Sequence, residues 1–368
     1  MTTYTANPQD ISDQTLSSSV WQREHFGYDL PKERIAQQPL AQRSLARLLH
    51  LDARQGLMAH HVMMDLPQLL RRGDLLVIND TAVLKARLVA TKSTGGRVAL
   101  LLEPAIGQPA DMAWAHLHPG CREGTVLAVG DARLTVLAAQ KRRFLVQCSQ
   151  PIESLTEEHG TVPLPPYIQR QPTPEDQARY QTVFARHKGS VAAPTAGLHL
   201  DDSLLTTLEQ SGITTARLTL HVGAGTFTPL RHEDLSSHLM HQEYMAIPPE
   251  LVAAIQRTRT GGGRVIAVGT TVVRALESAA LQGTLQAGSG TTELFIQPGF
   301  RFRVIDGLLT NFHQPYSTLL VLVAAFAGYE TMRLAYQRAL DCGYRFLSYG
   351  DAMLILPGQH DRTATHAL

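Results

Sequence analysis

The sequence predicts an α/β main domain interrupted by a small inserted antiparallel β-barrel. Three observations carry that reading. The chain has 368 residues, more than one domain usually holds. Between about Asp74 and Ser149 it runs through short strand-like segments with no helix between them. After Ser149 helical and strand patterns alternate, as they do where a sheet is covered on both faces.

The elements follow in order. Residues 1–24 read as a loose tail, because TTYTANPQDISDQTLSSSV is polar and aperiodic. Residues 25–70 and 151–368 are assigned to the main domain and 71–150 to the barrel. DLPKERIAQQP predicts a short helix with Pro31 at its start, Ile35 on its apolar side and Pro39 ending it. SLARLLHLDA can enter a first strand. The insert then offers LLVIN, ARLVATK, RVALLLEP, MAWAHL, TVLAVG, ARLTVLAAQ and RFLVQCS, and closing them into a barrel leaves no edge unpaired. SLLTTLEQSG places Leu204, Leu205 and Leu208 on one helical face, with Gly212 closing the helix. ITTARLTLHV reads as a strand with Ala216, Leu218 and Leu220 on one side. PPELVAAIQRTRTGGG is a helix between prolines and glycines, RVIAV a buried strand and TVVRALESAAL the next helix. Two more helices are expected over Ser317–Ala327 and Glu330–Asp341. The sheet is expected to be mainly parallel.

Composition narrows the function classes. With 44% hydrophobic and 18% charged residues the chain is neither disordered nor membranous. Its longest apolar stretch, Leu319 to Gly328, is too short to span a bilayer. No secretion signal opens the chain, which makes the cytoplasm the expected compartment. Three scattered cysteines, Cys121, Cys148 and Cys342, form no Cys-x-x-Cys pair, against a structural zinc, an iron–sulfur cluster or a disulfide scaffold. No metal site is expected. A net charge of +1 neither demands nor forbids a basic face for RNA. A Gly-x-Ser-x-Gly elbow and a phosphate-binding P-loop are both absent.

Four polar segments can carry chemistry. APTAGLH offers Thr195, Gly197 and His199, although a capped turn with a hydrogen-bonding histidine accounts for it equally well. LHVGAGTF follows a strand end, where α/β sheets hold ligands. His221, Gly223, Gly225 and Thr226 stand there, without the third glycine of a dinucleotide fingerprint. In AVGTTVVRALES, Thr270 and Thr271 fall where a helix leaves N–H groups unpaired. Arg274 and Glu277 neighbour each other on that helix, either as an intrahelical ion pair or around a ligand. LLTNFHQPYSTLL sets Asn311 and His313 between an apolar strand and an apolar helix that Ser317 can cap. In MHQEY, His241 and Glu243 would share one side of a strand, as a site or as a surface pair.

These segments, with YDLPKERIAQQP, GDLLVINDTAVLKARL, VPLPPYI, YQTVFARHKGSVAAPTAGLH, GGRVIAVGTTVVRALESAA, PGFRFRVIDGLLTNFH and RFLSYGDAMLI, stand in a family-specific order from about Tyr28 to Pro357. In them the chain resembles the S-adenosylmethionine:tRNA ribosyltransferase-isomerase family of queuosine biosynthesis. The resemblance implies an α/β domain with an inserted barrel. It also implies transfer and isomerisation of the ribosyl group of S-adenosylmethionine, a co-substrate and not a regenerated cofactor. The acceptor is 7-aminomethyl-7-deazaguanine at the tRNA wobble position, and the products are epoxyqueuosine in tRNA, adenine and methionine. Carried over by position, it implies His199 or His221 for proton transfer, with His313 next. Thr195, Gly197, Gly223, Gly225, Thr226, Thr270, Thr271 and Asn311 would form the donor pocket, with Arg274 and Glu277 orienting groups around it. Asn79, Asp80, Arg87, Arg170 and Arg186 are the candidates for acceptor contact. A monomer is expected.

The chain departs from the family pattern at Ala82, at Lys85 where proline is common, at Thr291 where an aromatic is usual, and at Gln314 and Tyr316 where leucine and arginine are expected. HLHPGCREG also stands where a more basic stretch is common. Lost arginines and a lost aromatic are what an altered acceptor site would show. Two alternatives therefore stand beside the main reading: a ribosyltransferase paralogue with another, small-molecule acceptor, and a non-catalytic RNA- or metabolite-binding protein.

Overall fold

Leu75–Asn79 is buried at all five positions, and it is the fourth strand of a nine-stranded sheet. The computed structural model describes residues 21–104, 107–140, 143–227, 229–230 and 233–356. In chain order, β1 (Arg47–Asp52) and β2 (Met58–Val62) pair antiparallel, and the short α1 (Leu66–Leu69) leads to β3 (Leu75–Asn79). β4 (Thr81–Val83) then precedes β5 (Arg87–Lys92), β6 (Arg97–Pro104), β7 (Met112–His118), β8 (Val126–Val129), β9 (Ala132–Gln140) and β10 (Arg143–Cys148). These last six close into a barrel in the order β10-β7-β6-β5-β8-β9. Their alternating burial, as in Leu88 and Ala90 or Val98, Leu100 and Leu102, fills the interior with every second side chain. Ile152 and Leu155 of α2 (Ile152–His159) join that core.

The chain returns through α3 (Pro174–Arg179) and β11 (His187–Ser190), which pairs parallel with β4. Next come α4 (Asp202–Gln210), β12 (Thr214–Leu220), β13 (Glu243–Ile247), α5 (Pro249–Thr260), β14 (Val265–Val268), α6 (Thr270–Ala279), β15 (Gly288–Thr292) and β16 (Gly307–Asn311). The apolar α7 (Thr318–Ala327), α8 (Tyr329–Asp341) and β17 (Ala352–Leu356) finish the domain. The sheet runs β15-β13-β12-β3-β14-β16-β17-β1-β2. Buried Arg264 and Asp74 fasten its centre, the carboxylate accepting from Nη2 at 2.6 Å and from Nε at 3.1 Å. Large apolar clusters cover both sheet faces.

The α/β domain with an antiparallel barrel is as the sequence reads, with three differences in detail. LLVIN, expected within the insert at 71–150, is a main-sheet strand, and the barrel strands begin at Arg87. A five-residue buried strand looks the same in either setting. The sheet is mixed: β3 is parallel to β12 and β14, β14 to β16 and β1 to β17, whereas β16/β17, β12/β13, β13/β15 and β1/β2 are antiparallel. The helix expected from Pro31 is only a 3-10 turn over Lys32–Arg34, since Pro39 leaves too few residues for a stable helix. Of the expected tail, residues 1–20 lie outside the described residues, while Trp21 packs on Phe26 and Tyr329. No single helix among the described residues is long and apolar enough to cross a membrane.

Candidate active site

Parallel strands β14 and β16 end side by side, and the cleft beyond their carboxyl ends is where an α/β sheet holds ligands. It takes in about 700 Å³ when the space open to solvent at its mouth is counted. Its wall is made from all four polar segments. Thr195 comes from the turn over Thr195–His199, Thr226 from the 223–227 loop, Thr270 and Thr271 from the start of α6, and Asn311 and His313 from the end of β16. Gly269, at φ 92°, lets the chain turn from β14 directly into α6, so the helix's free N–H groups face the cleft end of the sheet.

Asn311 is 2% exposed, and its Nδ2 donates to Nε2 of His199 at 3.0 Å and to the Leu347 carbonyl at 3.1 Å. Its Oδ1 has no partner among the described residues, a buried acceptor in a residue lining the cleft. The His199 ring lies behind it, in an adjoining pocket. Burial, with Arg345 and Arg43 adding to it, pushes the His199 imidazole down to about 3. His313 lines the cleft with Nε2 2.8 Å from the Thr310 hydroxyl, and burial pushes it also down to about 3. Both rings are therefore neutral near pH 7, and each is a feeble base as it stands. The His313 main chain is clamped as well: its N–H donates to Tyr336 at 3.0 Å and its carbonyl accepts from Tyr28.

His221 is half-buried, outside the cleft wall. It is stacked on Tyr244 with ring centroids 5.3 Å apart, and its Nδ1 is 2.8 Å from the Thr81 hydroxyl. Burial and neighbouring His187 lower its pKa, against an upward pull from Asp80. Asp80 accepts from a different threonine, Thr219 Oγ1, at 2.7 Å, so it acts on His221 through space and not through the Thr81 hydroxyl.

The 223–227 loop is fastened by two carboxylates. Glu243 accepts from the Gly223 N–H at 3.0 Å and the Thr226 hydroxyl at 3.1 Å, and its other oxygen is paired with Arg274. Both charged residues are 4% exposed, so Glu243 is not the surface group that the spacing in MHQEY allows. Glu103, from barrel strand β6, accepts from the Ala224 N–H. Burial works to raise the Glu103 pKa, but His116, the Ala224 N–H and Arg143 hold it below the usual value.

Several residues expected at the site are fully occupied elsewhere. Glu277 does not pair with Arg274; it accepts the N–H groups of Arg303, Val304 and Ile305 at 2.7, 2.9 and 3.1 Å. Asn79 exchanges hydrogen bonds with the Leu220 backbone and donates to Thr271 Oγ1 at 3.3 Å, behind the cleft wall. Arg170 grips Asp176 in a fork at 2.6 and 2.8 Å and so is no free phosphate contact. Arg87 donates to the Leu164 carbonyl at 3.2 Å, whereas Arg186 is exposed and its main-chain N–H donates to the Asp80 carbonyl at 2.7 Å. Gly197 is buried under Phe184 and Thr182, Gly225 lines a small separate pocket with Thr226, and the Gly223 N–H is held by Glu243, so none of the three lines the cleft. Sequence reasoning missed Tyr167 and Ser348, cleft-wall residues whose hydroxyls are 2.6 Å apart. VPLPPYI and RFLSYGDAMLI carried the only signal for them.

The comparisons decide the family. A model described as queuosine biosynthesis protein matches residues 23–355. The chain belongs to this family. Similar proteins include an S-adenosylmethionine:tRNA ribosyltransferase-isomerase of Azoarcus sp. (strain BH72), 53% identical over 91% of this chain and 97% of the relative. Another, from Aromatoleum aromaticum, is 54% identical over 90% of this chain and 96% of its own. The crystal structure of an S-adenosylmethionine tRNA ribosyltransferase from Thermotoga maritima is 33% identical, with a TM-score of 0.54. It covers 90% of this chain and 100% of that one. Of the five departures from the family pattern, Gln314 lines the cleft. The others lie off its wall: Ala82 is buried in β4, Lys85 pairs with Glu157 at 3.1 Å, Thr291 is exposed, and Tyr316 lies under Arg23.

Proposed function

We propose that this chain is an S-adenosylmethionine:tRNA ribosyltransferase-isomerase. It moves and isomerises the ribosyl group of S-adenosylmethionine onto 7-aminomethyl-7-deazaguanine at the wobble position, giving epoxyqueuosine in tRNA, adenine and methionine. In this reading it uses no regenerated cofactor and acts as a cytoplasmic monomer. The observation that carries the reading is the convergence of the four polar segments on one cleft of about 700 Å³ at the carboxyl edge of the sheet.

The residues divide the work as follows. Asn311 Oδ1 accepts an N–H from the bound donor, and the α6 N-terminus with Thr195, Thr270 and Thr271 supplies further donors. The sulfonium acidifies the ribose C5′ hydrogen, and a base removes it. Neutral His313 stands in the cleft for a proton transfer, but the donor's sulfonium, a cation, would hold a ring already near 3 lower still, so only an anionic neighbour such as an acceptor phosphate would raise its basicity. His221, less perturbed and beside the same loop, is the alternative base on the acceptor side. The amine of the modified base attacks the ribose, adenine and methionine leave, and the epoxide closes.

The test is incubation with S-adenosylmethionine and a tRNA bearing 7-aminomethyl-7-deazaguanine, followed by mass spectrometry of the digested nucleosides and measurement of free adenine. Epoxyqueuosine with an equal amount of adenine supports the proposal. Folded protein that binds S-adenosylmethionine and yields neither product overturns it.

A further inference from the structure

Behind Asn311 lies a second pocket, about 280 Å³ counting the space open to solvent, that the donor cleft does not account for. Three guanidiniums line it, those of Arg43, Arg179 and Arg345, together with His199. Arg43 donates to the carbonyls of Leu198, Ala178 and Gln181 at 3.0, 2.9 and 2.8 Å, and Arg179 donates to those of Ala41 and Leu40. Carbonyls fix these cations in place but do not neutralise them. The carboxylates near them are few. Asp351 is 3.7 Å from Arg345, exposed Glu175 is 3.8 Å from Arg179, and Asp201 and Asp202 act on Arg43 from further off. Burial, with Arg179 adding to it, lowers the Arg43 pKa.

Arg179 Nε is buried with no hydrogen-bond acceptor among the described residues, whereas Arg345 Nη2, also without a hydrogen bond there, faces the Asp351 carboxylate at 3.7 Å. One carboxylate at that distance does not balance three guanidinium charges, and charged donors without a close acceptor favour an anion. The Arg345 side chain is still 31% exposed, which leaves the pocket open to a ligand carried on a large molecule. Ser348 lies in the walls of both this pocket and the cleft, and His199 joins them through Asn311.

We propose that the Arg43–Arg179–Arg345 pocket is a phosphate subsite, which seats one backbone phosphodiester of the acceptor RNA next to the donor cleft. The inference rests on the tRNA-modifying reading of the cleft, and it assigns the phosphate contact to arginines other than Arg87, Arg170 and Arg186. A carboxylate, such as that of the donor's amino-acid end, would suit the same donors, but three cations reachable from the surface fit a polyanion better.

The test is equilibrium binding of tRNA and, separately, of S-adenosylmethionine by the full chain and by Arg345→Met and Arg345→Lys, across a salt series. Arg345 is chosen because Arg43 and Arg179 also hold loops together. Thermal melting checks that the variants fold. If Arg345→Met melts early, phosphate-dependent protection of the intact protein against heating, relative to equal chloride, replaces it. The expected result is weaker tRNA binding by Arg345→Met, a salt slope shallower by about one contact, partial recovery in Arg345→Lys and unchanged S-adenosylmethionine affinity. Weaker S-adenosylmethionine binding with tRNA binding intact overturns the proposal in favour of a carboxylate site, and no change in either makes the pocket structural. Binding is read without turnover, so an inactive but tRNA-binding protein would fail the proposed function and leave this subsite standing.

Discussion

Asn311 and His199, distant in sequence, share one hydrogen bond of 3.0 Å, and that bond fixes which atom of Asn311 is left for the cleft. With Nδ2 turned to His199 and the Leu347 carbonyl, Oδ1 is left without a partner among the described residues. Nε2 of His199 must then carry no proton, which agrees with an imidazole that burial keeps neutral. The pair acts as a fixed backing for one acceptor in the wall.

Asn311→Ala should weaken S-adenosylmethionine binding by roughly two- to tenfold, the worth of one hydrogen bond of ordinary strength. Isothermal titration reads this directly. Unaltered affinity would mean that Oδ1 does not meet the donor.

Removing one partner of the Glu243–Arg274 pair leaves an uncompensated buried charge. Arg274→Met should cost about 3–5 kcal/mol in denaturant unfolding. Glu243→Gln should also loosen the Gly223–Thr226 loop, whose N–H and hydroxyl it holds, and lower donor affinity. A loss of about 1 kcal/mol or less would place the pair among ordinary surface bridges instead.

Glu277 offers the opposite outcome. Its carboxylate holds the main chain at 303–305, and burial pushes its pKa up against the pull of those three N–H bonds. Glu277→Ala should destabilise by about 1–3 kcal/mol through the orphaned donors while donor affinity stays unchanged. A fall in donor affinity without loss of stability would return Glu277 to the site.

Acid stability reports on the buried rings. His199 and His313 are held near 3 in the folded chain, below the ordinary value of about 6.5. The unfolded chain binds more protons below that value, so stability rises with pH up to about 6.5 and is lost as pH falls from there toward 3. Melting temperatures measured between pH 7 and 4 should drop more steeply for the native protein than for the His199→Gln, His313→Gln double variant. Parallel curves would show that these rings do not carry the effect.

What the sequence made legible was local. Turn residues and polar loops between apolar strands and helices marked Thr195, Thr226, Thr270, Thr271, Asn311 and His313, and all six line the cleft. Partner choice was not legible, because it depends on contacts far apart in the chain. Arg274 and Glu277 sit three apart on α6, yet one pairs with β13 and the other braces the loop at 303–305. Glu103 reads as the end of a barrel strand, and only the folded chain brings it to Ala224. Arg170 reads as a cation for RNA, but in the folded chain Asp176 holds it at 2.6 Å.

The most direct measurement is a crystal structure of this protein with S-adenosylmethionine bound. Donor density between Thr195, Thr271 and Asn311, with an N–H of the donor against Asn311 Oδ1, is the predicted result. Donor bound elsewhere on the chain, with this cleft empty in a protein that turns over, would contradict it.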